Sequence, residues 1–531
     1  MKRLAPVFLL ILLAVPGSIF AADAADDVFV VNFLPTDLEF DPLRTYTTTE
    51  AQLYTGLYEG LVTYDPYSLD PLPGVASRWE VSNEGRTYRF YIRADARYSD
   101  GSPVRAADFV ATWLTMLSPS TNAAYSSLLD VVVGAADYRT GVSDDPSTVG
   151  VRAISDRVLE VELNERATHF LRILCHHSFV ALHPDVLAGR YWDDPTNIIT
   201  NGPYVISEYT PGRVVLEKSP TYWDRSRVEL DRIAAVFSDD YESVAGQFNR
   251  GEIDWVYSGI DFDLVENRSS IVVSSMFSTT YFQFSAVVPP LDNLTVRRAM
   301  MLALPWEEIR AEEWEYLPTS ALVPPLPQYP EVTGFQAQDA EEARRLLDEA
   351  GIDGSTLPTI VISIPGGQDN ERIAQLMVDS WREILGMDST IETIDYPRYF
   401  QKIEDEFMVG TISWIGDFAD PLTFLDMWTT ESNLNYSRFS NAEYDSLIRA
   451  AMGQLGRERY ETLARAEELL LDQCVVLPIS HSPSANLINL DVVDGWYPNP
   501  LNIHPFKYMR RSTGEPVPNV ATTDLQHRSA T

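Results

Sequence analysis

Two acids, Asp417 and Asp420, follow an apolar stretch in SWIGDFADP, Ser413 to Pro421. Trp414 and Ile415 favour extended structure, and Gly416 to Pro421 then interrupt it. A strand running into paired acids could be a catalytic site, a metal site, a ligand clamp or a turn. Acid pairs are common in a chain with 77 Asp plus Glu, so spacing alone does not make these two a catalytic pair. Asp417 stands out by its neighbourhood, directly after a strand, an aromatic residue and a glycine. A carboxylate placed there needs a partner: the cationic group of a ligand, an internal arginine or solvent.

The densest cluster of metal-ligand residue types is Cys175, His176, His177 and His183. Consecutive histidines on a strand point to opposite faces, so the sequence predicts one buried and one exposed ring and no shared metal. There is no G-x-S-x-G elbow, H-E-x-x-H helix, phosphate loop or dinucleotide fingerprint. Two cysteines rule out a thiolate zinc cage. No catalytic residue, metal or cofactor is expected. Cys175 and Cys474 both sit in apolar runs and read as buried thiols, with a disulfide permitted outside the cytoplasm.

Several elements must position these residues. TYRFYIRADARYSDG alternates apolar and polar residues into an Asp-Gly turn. RAADFVATWLTML has helical spacing, and VRAISDRVLEVELN reads as a hairpin. PYVISEYTPGRVVLEKSP is two strands around a Pro-Gly turn. After residue 330 helices and strands alternate. Asp339 and Glu342 have capping-box spacing before a helix that Gly351 ends, TIVISIP is a strand, and a second helix stops at Gly386. That alternation predicts a sheet covered by helices.

The chain has 531 residues, enough for two or three domains at about 100–200 residues each. Its net charge of −37 argues against nucleic acid as a partner. Lys2 and Arg3 precede LAPVFLLILLAVPGSIF and the small residues AADAA, the pattern of a secretory signal peptide over residues 1–24. No cysteine near that junction could accept a lipid. The mature protein is expected to be exported, soluble and unanchored. Residues 511–531 lack apolar periodicity and read as a disordered tail.

LYEGLVTYDP, PLPGVASRWEVSNEGRTYRFYIRADARYSDGSPVRAADFVATW and TNGPYVISEYTPGRVVLEKSPTYWD occur in that order. FNRGEIDWV, LTVRRAMMLAL, AEEARRLLDEAG, SWIGDFADPLTFLDMW, NAEYDSLIRAA and AEELLLDQCVVLPIS follow. This series resembles the oligopeptide/dipeptide-binding proteins of bacterial ABC importers, the large three-domain class of periplasmic solute-binding proteins. The resemblance implies an α/β, periplasmic-binding-protein-like fold, with two lobes joined by a hinge and an additional small domain. Lobe one would comprise 26–63, 185–277 and 486–510, the extra domain 64–184, and lobe two 278–485.

The resemblance also implies ligand-binding roles. The aspartate that meets a peptide's α-ammonium falls on Asp417. Main-chain contacts to an extended ligand fall on Thr411, Ser413 and Ile415, in the manner of an added strand. Trp414 and Tyr125 align with residues near the ligand, and Tyr46 and Thr48 with a facing segment of lobe one. Asn201 belongs to a turn near the cleft, in a binding or a structural role. Asp420-Pro421 reads as a turn, and Tyr222 and Trp223 as core. The chain departs from some oligopeptide binders at Thr411, Ile415 and Tyr46, so no group is assigned to a ligand's C-terminus.

The expected function is an extracytoplasmic receptor, periplasmic and monomeric, that delivers short peptides to an ABC-type permease. The same fold could instead take an oligosaccharide, a nickel chelate or glutathione. An exported hydrolase, chaperone or adhesin are further readings without a motif behind them.

Overall fold

Runs of β-branched and aromatic residues between turn signals become strands, and three groups of them build three separate sheets. The computed structural model describes residues 28–512, except positions 46, 168, 192, 312–316, 327 and 419. The signal segment, Tyr46 and residues 513–531 lie outside the described residues. Of the stretch read as a tail, Arg511 forms a short ribbon with Val493 and an ion pair with Asp254, Nη2 to Oδ2 3.0 Å.

A seven-stranded sheet runs, edge to edge, Ile271–Ser275, Pro483–Ile488, Trp255–Val256, Val28–Phe33, Arg232–Phe237, Arg213–Lys218 and Tyr204–Thr210. Its central strand Val28–Phe33 is buried along its whole length and runs parallel to Arg232–Phe237. A smaller four-stranded antiparallel sheet is inserted after it in the chain, ordered Ala76–Ser82, Thr87–Ile92, Val158–Glu162 and Val151–Ser155. The predicted alternation appears there, with Tyr88, Phe90 and Ile92 buried and Arg89 exposed. Helix Ala106–Leu117 packs on this sheet and buries Phe109, Trp113, Met116 and Leu117.

A six-stranded sheet is ordered Leu317–Pro318, Val476–His481, Ser278–Phe284, Val409–Ile415, Ile360–Pro365 and Ser389–Ile394. Ile360–Pro365 and Ser389–Ile394 are parallel, so a crossover must join them. Helix Gln368–Leu385 makes that crossover and buries Ile373, Met377, Trp381 and Leu385. Gly386 ends it at φ +67°, a conformation cheap only for glycine. Asp339 starts the preceding helix, its carboxylate accepting the Glu342 N–H at 2.9 Å.

The chain crosses between the two large sheets at Met276–Phe277 and again at Ser482. Ser278 Oγ donates to the Ser482 carbonyl at 3.0 Å and ties the two crossings together. The architecture is α/β, with two lobes joined by a hinge and the four-stranded unit as an additional domain.

One local expectation fails. FLRILCHHSFVAL is not a strand: Phe170–Ile173 is a helical turn and His177–Phe179 a 3-10 turn. His176 caps the second turn, its Nδ1 accepting the Ser178 N–H at 3.4 Å. Because the chain turns there, the His176 and His177 rings lie 3.9 Å apart instead of on opposite faces. Cys175 and Cys474 are buried and unbridged. Burial raises both thiols, Cys474 to about 12.

Candidate functional site

Strand Val409–Ile415 has one edge fully paired and one edge partly open. Its antiparallel neighbour Ser278–Phe284 covers it from Ile415, opposite Ser278, to Val409, opposite Phe284. On the other edge Ile360–Pro365 reaches only Val409 and Gly410. No described strand covers that edge from Thr411 onward.

Main-chain groups alternate between the two edges along a strand. The Gly416 N–H donates to the Phe277 carbonyl at 2.8 Å, toward the paired neighbour. The Thr411 N–H donates to Tyr399 Oη at 2.7 Å, and the same hydroxyl donates back to the Thr411 carbonyl at 2.7 Å. Thr411 thus faces the other edge, and Ser413 and Ile415, sharing its parity, direct their N–H and C=O groups there. The Tyr399 hydroxyl stands on Thr411, so the open stretch begins beyond it.

Two residues past the end of the strand stands Asp417, which Thr423 fixes from two directions. The Asp417 N–H donates to Thr423 Oγ1 at 2.9 Å, and Thr423 Oγ1 donates to Asp417 Oδ2 at 3.1 Å. On the other side Asp417 Oδ1 lies 3.4 Å from His176 Nε2. Because His176 Nδ1 accepts from Ser178, Nε2 is the ring nitrogen that faces Asp417. Tyr64 Oη donates to the Asp417 carbonyl at 3.0 Å. The carboxylate is 12 % exposed, and the Thr423 hydroxyl on Oδ2 leaves acceptor capacity on both oxygens. That arrangement suits a cation shielded from water.

Asp420 has a different environment. Arg459 donates to it twice, at 2.7 and 2.8 Å, and Asp420 Oδ1 also accepts the Leu422 N–H at 3.0 Å. Burial acts to raise its carboxyl, but Arg459 holds it below the ordinary range. Asp420 does shape the turn, as its Leu422 contact shows, but its main partner is an internal arginine.

The remaining candidates divide. Tyr125 is buried with its ring 4.3 Å from His176, so it stands behind the histidine that meets Asp417. Trp414 is buried and its indole N–H donates to the Thr423 carbonyl at 3.1 Å, which makes it a wall of the site. Ser413 is exposed and Ile415 half-buried. Thr48 opens helix Thr48–Leu57 in the other lobe. Asn201 clamps the main chain of Glu59, accepting its N–H at 3.1 Å and donating to its C=O at 2.8 Å. The Glu59 carboxylate in turn receives Tyr222 Oη and Trp223 Nε1, each at 2.5 Å, and Lys507 Nζ at 3.3 Å. Asn201 therefore has a structural role here.

Sequence reasoning missed His176, Thr423, Tyr64 and Tyr399. Thr423 had a local signal, six residues past Asp417 at the start of a helical turn. His176 was noticed but placed on the wrong element. Behind it, a cavity of about 50 Å³ is bordered by Tyr54, Tyr58, Tyr64, His176 and His177. Burial, reinforced by His176, pulls the His177 imidazole well below its usual range and keeps it neutral.

Two lobes on separate sheets, crossed twice by the chain, with an uncovered strand edge and a shielded carboxylate at one strand end, define the solute-receptor class of hinged binding proteins. The family model for bacterial extracellular solute-binding proteins, family 5, matches residues 70–436, more than half the chain, and the chain belongs to that family. It is 28% identical to the oligopeptide-binding protein OppA of Bacillus subtilis over 80% of this chain and 81% of that protein. The solved structure of the Escherichia coli murein tripeptide binding protein MppA matches with a TM-score of 0.82 at 24% identity, over 91% of this chain and 98% of that one. An unliganded open form of MppA matches with a TM-score of 0.62 at 24% identity, over 92% and 98%. The lobes of this chain are therefore arranged unlike that open form.

Proposed function

We infer that the protein is an exported receptor for short peptides that performs no covalent chemistry and hands its ligand to an ABC-type permease. In this reading the peptide's α-ammonium meets Asp417, and its main chain pairs with the open edge at Ser413 and Ile415 as an added strand. The observation that carries the reading is this continuity: an uncovered strand edge ending at a shielded carboxylate held by Thr423. The match to an oligopeptide-binding relative supports the same ligand class. The proposed lobes take residues 26–63, 185–277 and 486–510 for lobe one, 64–184 for the extra domain and 278–485 for lobe two. The signal-like N-terminus supports a periplasmic location in this reading. Among the described residues no helix is long and apolar enough to cross a membrane.

Calorimetry with trialanine and N-acetyl-trialanine tests the reading. Free trialanine should bind and the acetylated peptide should bind far more weakly. Asp417→Ala should weaken trialanine by about 1.5–3 kcal/mol, roughly ten- to 150-fold. Equal affinity for both peptides, or no effect of the substitution, rejects it.

A further inference from the structure

The four-stranded unit and the six-stranded lobe also meet through contacts that do not include the Asp417 carboxylate or the open edge. Ser127 Oγ donates to Asp426 Oδ2 at 2.8 Å, with both residues buried. Asn433 Nδ2 donates to the Ala123 carbonyl at 2.7 Å and to Ser126 Oγ at 3.0 Å. Arg139, held by Asp130 at 3.0 and 2.7 Å, donates Nη1 to the Glu431 carbonyl at 2.7 Å. Ser127, Ala123 and Arg139 lie in the chain between strands Thr87–Ile92 and Val151–Ser155 of the four-stranded sheet, and Asp426, Glu431 and Asn433 follow strand Val409–Ile415. Apart from the Arg139–Asp130 contacts, which lie within the four-stranded unit, each bond joins one unit to the other, so any opening that parts the units must break them.

We propose that Ser127, Asp426, Asn433 and Arg139 form a closure latch, a set of residues that never touch the solute yet set its affinity by holding the two units together. The proposal rests on the hinged-receptor reading but not on the identity of the solute. The arrangement of the lobes, closer to the MppA structure at 0.82 than to its open form at 0.62, is the one in which these contacts are made. A solute that binds the closed state is weakened by whatever fraction of the protein is open.

The latch also links closure to protons. Burial raises the Asp426 carboxyl to about 6, with the Ser127 hydroxyl and Arg139 acting downward and Asp130 upward. Asp130 is raised too, by burial first, with Arg139 and Arg449 opposing and Glu431 assisting. Tyr444, from the same lobe as Asp426, donates to the neighbouring Leu425 carbonyl at 2.7 Å, and burial raises its phenol well above the usual range. Parting the units returns water to Asp426 and lowers its pKa toward that of an ordinary carboxylate. The closed form therefore binds the extra proton, and closure strengthens as pH falls from above 6 toward 4.

Nitroxide labels on Val142→Cys and Val287→Cys, 78% and 55% exposed and one in each unit, report the separation without any solute. The two native cysteines are buried and do not compete for label. In Ser127→Ala/Asn433→Ala a population at longer distance should grow, and trialanine affinity should fall about tenfold with its preference over the acetylated peptide unchanged. In the parent the longer population should grow from pH 5 to pH 7. Asp426→Asn, which keeps a partner for Ser127, should abolish that pH response. Identical distance distributions in parent and double variant overturn the latch. A distribution that shifts while trialanine fails to bind upholds the latch and rejects the peptide reading. Asn433→Ala alone, which leaves the buried Asp426 pair intact, guards against misfolding of the double variant.

Discussion

Asp420 and Arg459, 39 residues apart, form a bidentate ion pair with contacts of 2.7 and 2.8 Å in which neither side chain is more than 8% exposed. This pair separates the two acids of SWIGDFADP. One is paired with an internal arginine, and the other accepts from the Thr423 hydroxyl and lies 3.4 Å from His176. Arg459→Met would leave a buried carboxylate without its counter-charge and should cost about 3–5 kcal/mol of stability. Because the folded Asp420 pKa lies below its unfolded value of 3.8, this contribution is present at neutral pH and is lost only as pH falls through the folded value. Denaturant unfolding at pH 7 measures it, and an unchanged midpoint contradicts it. The free-amine preference of any surviving folded variant should persist, since Asp417 is untouched.

The parity of the open strand makes a sharper test. Ser413 directs its N–H to the uncovered edge, whereas Trp414 directs its own toward Ser278–Phe284. Proline removes one donor and is tolerated where that donor faces an edge. Ser413→Pro should fold and lose about tenfold in peptide affinity, one main-chain hydrogen bond. Trp414→Pro should fail to fold, losing a ladder bond and a buried indole. Circular dichroism with calorimetry on both variants decides. Full peptide affinity in Ser413→Pro would mean that the ligand does not pair at that edge.

Much of the fold was legible in the sequence because local chemistry writes it. Asp339 at a helix start, Gly386 at a helix end and the alternation through Tyr88, Phe90 and Ile92 all need only neighbours a few residues away. What was not legible depends on distant partners. Nothing near Asp420 announces Arg459, and nothing near Asn201 announces the main chain of Glu59, 142 residues earlier. The two histidines were misplaced for a different reason. Period-two reasoning assumes a strand, but the His176 side chain bonds the main chain two residues on and turns it. Asp417 became a candidate from its setting, and family order gave it a role. That Thr423 and His176 are its neighbours emerged from the fold.

Thr423 is the residue through which Asp417 is aimed. Thr423→Val keeps the shape and deletes both hydroxyl bonds, one to the Asp417 N–H and one to its Oδ2. The carboxylate stays in place by sequence but loses its fixed orientation. Affinity for free trialanine should fall about five- to tenfold, on the scale of one hydrogen bond, while N-acetyl-trialanine changes little. Parallel titrations of the two peptides check this. An equal loss for both would place Thr423 in general packing instead of in ammonium recognition.

Glu467 provides a pH test independent of the binding site. Its carboxylate is fully buried and accepts the Leu322 and Val323 N–H groups at 2.7 and 2.9 Å and Tyr329 Oη at 2.8 Å. Burial outweighs these donors and raises it from 4.5 to about 7. With the folded pKa above the unfolded one, the stability it contributes is fully present below pH 4.5 and is lost as pH rises through 7. Glu467→Gln keeps an acceptor for the two N–H groups and removes the titration. The tyrosine hydroxyl can reverse its role and accept from the new amide. The variant should match the parent near pH 5 and exceed it by about 2–3 kcal/mol at pH 8, the linkage of a carboxyl raised from 4.5 to about 7. Urea unfolding at both pH values measures the difference. A variant less stable at pH 8, or a gap that does not widen between pH 5 and pH 8, would show that the three donors outweigh burial and that the carboxylate is the native form.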